Sequence, residues 1–149
     1  MTKSALIKHI LLAGLLAGIL DILAAIILLA KGNVTGTFKF IASGAFGKAA
    51  FSGGADMIAW GVFFHFLIAT SFAAGYFLLY PCLSILRKNK WLSAIIYGIF
   101  IWAWMNYVVL PLTLAPPAPF SWEAALRNTV IVTACVSLPV AWLAHRFYA

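Results

Sequence analysis

The chain has 149 residues, of which 65% are hydrophobic and 9% charged, with a net charge of +7 and a mean hydropathy of +1.06. These values exclude an ordinary soluble domain and a disordered chain, and put the sequence in the membrane class as one domain over residues 1–149. The basic excess does not imply nucleic acid, because the Lys and Arg residues cluster at the ends of apolar runs, where they set orientation and meet anionic headgroups.

The first apolar run extends from about Ile10 to Ala30, preceded by Lys3, Lys8 and His9. At roughly 1.5 Å per residue it matches a hydrocarbon core of about 30 Å. It is too long for the apolar region of a secretory signal peptide and lacks a small-residue cleavage site, so it reads as a span. Asp21 is the only acidic residue inside the four apolar runs. A carboxyl at the centre of a membrane helix costs roughly 2.5–3.5 kcal/mol even on lenient insertion scales, which makes Asp21 the first functional candidate. Spacings of four, three and four place Gly14, Gly18, Asp21 and Ala25 on one stripe, and Gly14 and Gly18 form a GxxxG pair, the pattern that lets helices approach closely.

Residues 31–56 hold six of the eleven glycines together with Phe38, Phe40, Ile41, Phe46 and Phe51. An exposed connector would be more polar. On a helical wheel Phe38, Ile41, Ala42, Ala45, Phe46 and Ala49 share a face flanked by Lys39 and Lys48. This predicts an amphipathic segment over about 37–51, lying in the outer interface or re-entering the membrane under cover of protein.

The second run spans Met57 to Tyr80 and is closed by Pro81; Gly61, His65 and Ala69 form a small-polar-small stripe on it. The third covers Trp91 to Leu110, stops at Pro111 and carries Asn106. The fourth covers about 129–147, but Ser121 reads as an N-cap with Glu123 in the first turn and Arg127 at i,i+4, so its helix is predicted to begin at Trp122. Pro139 predicts a kink eased by Ser137, which shares a face with Thr129 and Thr133. Cys135 in mid-span and Cys82 at a span end differ too much in depth for a disulfide.

Lys3, Lys8, Arg87, Lys88, Lys90 and Arg146 fall on one side, against Lys31, Lys39, Lys48 and Arg127 on the other, so both termini are expected in the cytoplasm. From the outer ends, Asp21 lies nine residues in from Ala30 and His65 eight in from Met57, a common depth of about 12–14 Å that suits a hydrogen-bonded or ionic pair. Two readings stand: a proton-sensitive or ion-coordinating site, or polar glue at a tight helix crossing. Four short spans leave little room for a water-filled path within one subunit. No clustered metal ligands, nucleophile elbow, or phosphate- or dinucleotide-binding glycine pattern occurs in a suitable context, so no enzyme, metal or cofactor is expected.

The run from Ile41 to Phe51 through Gly53-Gly54, then His65, Met105-Asn106-Tyr107, Leu110-Pro111-Leu112 and Leu138-Pro139, resembles a group of small four-helix bacterial inner-membrane proteins that have no established activity. The resemblance implies an all-α, four-helix transmembrane bundle of bacterial origin and brings no substrate. It draws attention to Lys39, Ser43, Gly44, Gly47 and Lys48 in the glycine-rich segment as more than a connector. Two function classes follow: an oligomeric channel or transporter subunit with Asp21, His65 and Asn106 as its polar site, or an accessory protein that binds lipid or partner helices. The helix-packing stripes of Gly14 and Gly18 and of Gly61 are expected to pack together, and self-association through exposed small-residue faces is expected as well.

Overall fold

The computed structural model describes residues 2–149 and is all-helical. Four helices are long and apolar enough to cross a membrane: α1 (Lys3–Leu29), α4 (Ala55–Leu79), α6 (Lys90–Leu112) and α7 (Trp122–Tyr148). Shorter helices lie between them, α2 (Val34–Phe46) and α3 (Ala49–Ser52) before α4, and α5 (Ser84–Lys88) before α6. The long helices run alternately up and down. Lys3, the 80–90 turn and Tyr148 therefore share one end, and α2, α3 and the 113–121 loop share the other.

Local signals explain the helix starts. The Thr2 hydroxyl accepts from the Ala5 amide at 3.3 Å, Asn89 Oδ1 accepts from the Trp91 and Leu92 amides at 2.9 and 3.2 Å, and the Ser121 hydroxyl accepts from the Ala124 amide at 3.4 Å. The fourth long helix thus begins at Trp122, as its capping residues predict. α1 begins at Lys3, well before Ile10, because hydropathy marks where apolar residues start and not where a helix does. α6 continues past Pro111 for one 3₁₀ turn to Leu112.

Small residues face inward and large apolar ones outward, the reverse of a soluble bundle. Ala13, Gly14, Ala17 and Gly18 are buried on α1, whereas Leu11, Leu12, Leu15 and Leu23 are exposed. α1 packs between α4 and α7, and α6 packs on α7. Gly14 sits against Thr70 and Gly18 against Phe66 and Ala69, all on α4; a Cβ at Gly98 would run into Thr133 of α7. The Gly14–Gly18 stripe thus packs on α4 within one chain. Gly61 belongs to a different crossing, since a Cβ added there would run into the Phe38 backbone of α2 rather than α1.

The end that carries the termini is densely filled. Tyr76, Phe77, Val140, Ala141 and Ala144 are fully buried there. Hydroxyls cross between helices: Tyr76 Oη lies 2.8 Å from Ser93 Oγ, Tyr97 Oη donates to the Phe72 carbonyl at 2.7 Å, and Tyr148 Oη to the Phe77 carbonyl at 2.9 Å. Ser137 does not ease the Pro139 kink within its own helix. Its hydroxyl donates to the Ala94 carbonyl of α6 at 2.6 Å, and a π-helical turn over Thr133–Ser137 takes up the backbone change before the proline.

The predicted amphipathic helix over 37–51 is two helices. Gly47, at φ 59° and ψ −146°, occupies a region open essentially to glycine alone and turns the chain between α2 and α3. Nor does the buried face follow the wheel: Ala42, Ser43 and Ala50 are buried, while Ala45, Phe46 and Ala49 are exposed, because α2 lies along α4.

Candidate functional site

A cavity of about 690 Å³ occupies the half of the bundle away from the termini. Its walls are Asp21 and Ala25 of α1, Thr37, Phe40 and Ile41 of α2, His65, Ile68 and Phe72 of α4, Trp102, Met105 and Asn106 of α6, and Asn128, Ile131 and Val132 of α7. Three of the four long helices widen into a π-helical turn beside it, at Ala25–Leu29, Met105–Val109 and Thr133–Ser137. A π turn shifts the side-chain register, so the helices stop interlocking there; such turns recur at functional sites.

Asp21, His65 and Asn106 come to this one cavity, but not as the predicted hydrogen-bonded pair. His65 Nε2 lies 2.8 Å from the Gly18 carbonyl. A carbonyl only accepts, so Nε2 carries the proton and the ring is fixed with Nδ1 as its free nitrogen. Asp21 lies one turn along α1 from Gly18, and its carboxyl and the imidazole line the same cavity. Among the described residues nothing donates a hydrogen bond to the Asp21 carboxyl, which is partly buried and lines the cavity.

Asn106 does not bridge helices. Its Nδ2 donates to the Trp102 carbonyl of its own helix at 2.8 Å. Thr129 likewise bonds within its helix, to the Ala125 carbonyl at 2.7 Å. Sequence reasoning missed Asn128, which lines the cavity and has a buried Oδ1 with no hydrogen-bond partner among the described residues. The available signal was its position three and four residues before the apolar pair Ile131 and Val132, on the inward stripe of α7.

The glycine-rich segment closes one side of the cavity. The Leu114 amide donates to the Gly44 carbonyl at 2.9 Å, Thr113 packs on Gly44 and Leu114 on Gly47, so α2 is tied to the loop between α6 and α7. Ser43 is fully buried with its hydroxyl donating to the Phe40 carbonyl at 2.6 Å. Lys39 Nζ reaches the Phe51 carbonyl at 3.4 Å, and Lys48 is exposed at the start of α3. Phe46 and Trp60 pack at 5.7 Å and Trp60 stacks on Phe64 at 5.5 Å, anchoring the end of α2 to α4.

The other histidines lie at the opposite end. His145 Nδ1 is 3.0 Å from Tyr80 Oη, and His9 Nδ1 donates to the Ala5 carbonyl at 2.8 Å. Cys82 and Cys135 are both free. Comparison with protein-family models, with curated proteins and with solved structures finds no match to this chain.

Proposed function

We propose that this chain is a multi-pass protein of the bacterial inner membrane, with both termini in the cytoplasm, and that it works as a channel or transporter subunit whose binding site is the Asp21–His65 cavity. The observation that carries the reading is the cavity itself. A volume of about 690 Å³, walled by apolar and aromatic side chains with a few convergent polar groups, has the size and character of a small-molecule site, for which roughly 300–1,000 Å³ is typical. The exposed leucine and isoleucine faces of α1, α4 and α6 support burial in lipid. In that orientation the cavity belongs to the outer half of the bilayer, with α2 and α3 as its cover at the outer interface.

A membrane carboxyl beside an imidazole of fixed tautomer is the material of proton-coupled movement. In liposomes holding a pH-sensitive dye, the wild-type chain is expected to dissipate an imposed pH gradient severalfold faster than Asp21→Asn, which keeps the shape of the side chain but cannot exchange the proton. Equal rates at the level of empty liposomes would remove the transport reading.

One feature favours the accessory class. A groove of about 290 Å³ between α1, α6 and α7, lined by Leu16, Leu20, Trp91, Leu138 and Trp142 with Lys90 among them, fits an acyl chain beside a basic group. Under that reading the protein holds lipid and the gradient assay gives no signal.

A further inference from the structure

The charge balance of the cavity goes further than its volume. Among the described residues, none of the ten Lys and Arg side chains lines it, and Asp21 is its only carboxyl. Lys39, on the wall helix α2, points its Nζ at the Phe51 carbonyl. His65 donates its Nε2–H to the Gly18 carbonyl, and no described residue donates to Asp21. An ionised carboxyl held in apolar surroundings is costly unless a countercharge reaches it. The cavity walls also carry Phe40, Phe72 and Trp102, and aromatic ring faces attract cations.

We infer that the ligand of this cavity is an organic cation with an apolar body, a protonated amine or an onium ion, whose charge sits at Asp21 and whose body lies among Phe40, Phe72, Trp102 and Ile131. The inference rests on the proposed binding role of the cavity and adds the ligand's chemical class. An anion of the same shape would meet the field of Asp21 with no Lys or Arg side chain in the lining to offset it. A neutral molecule would gain the apolar contacts and leave the carboxyl uncompensated.

Tetraphenylphosphonium and tetraphenylborate, ions of nearly the same size and opposite charge, test this by equilibrium dialysis on the full chain in mild detergent, with neutral triphenylphosphine oxide as the third probe. Saturable binding of the phosphonium is expected, at least tenfold tighter than that of either other probe. Asp21→Asn should erase that preference. Ala25→Phe, which keeps every charge and puts a ring into the cavity one turn from Asp21, should weaken all three probes. Circular dichroism and monodisperse gel filtration establish that both variants remain folded. If the three probes bind alike and are lost together in Ala25→Phe, the cavity is a binding site and the cation inference is wrong. A borate preference, or a phosphonium affinity unchanged in Asp21→Asn, overturns it equally. If no probe binds saturably, or Ala25→Phe alters none of them, the cavity reading fails and the inference with it.

Discussion

At the scale of single residues, Asp21 and Gly61 show opposite relations between a side chain and the stability of the fold. The Asp21 carboxyl receives no hydrogen bond from a described residue, and His65 is held by Gly18 instead. Asp21→Leu is therefore expected to leave the melting temperature unchanged or higher, followed by tryptophan fluorescence in detergent, while removing the site. A fall of several degrees would show that the carboxyl holds the helices together. His65→Ala should lose the contact to the Gly18 carbonyl, worth about 0.6 kcal/mol on average for such bonds and at most about 1.7. Gly61 has no functional atom, yet a Cβ there meets the Phe38 backbone, which has no rotamer with which to yield. Gly61→Ala should lower stability by about 1–3 kcal/mol, as overpacking does. Gly44, where an added Cβ makes only ordinary contact with Thr113 at 3.6 Å, offers the control for crowding.

At the scale of elements, the α2–α3 unit is the part least like its expected form. The wheel treats 37–51 as one helix because apolar spacing continues through Gly47. That residue's φ of 59° ends α2, and the Gly44 carbonyl then accepts from Leu114. Gly47→Ala should cost about 1–3 kcal/mol locally. Hydrogen exchange should rise over 34–52 while α1, α6 and α7 keep their protection. Uniform deprotection of the whole chain would mean instead that the cover and the bundle form one cooperative unit. In α7 the position of Pro139 gives the place of the irregularity, but its form, a π turn with Ser137 bonded across to Ala94, depends on α6 being adjacent.

At the scale of the whole molecule, packing is uneven along the bundle. Tyr76, Phe77, Tyr97 and a run of alanines fill the end with the termini, and the other end is hollow between π-helical turns. Under the proposed binding role, the filled end would keep the helices together while a ligand enters and leaves the other. The proposed orientation has a direct check. In a background lacking Cys82 and Cys135, a cysteine replacing Lys48 should react with a membrane-impermeant maleimide added outside intact cells. One replacing Lys88 should react only after the membrane is opened. The reverse pattern would turn the molecule over and place the cavity in the inner half of the bilayer.

Hydropathy and caps were enough to find four long helices, their order and the start of α7, because each depends on residues near in sequence: a run of apolar side chains, a Ser at 121, a proline past the end. The stripes also drew Gly14, Gly18, Asp21 and His65 to the crossing of α1 and α4. Which atom His65 would bond was decided by tertiary structure, since the Gly18 carbonyl and the Asp21 carboxyl lie one turn apart on the same face. Asn128, the partner of Gly61 and the cavity were likewise settled there. Periodicity carries no mark of a π turn, and a void is a property of the space between helices, set by how four surfaces fail to interlock and not by any one of them.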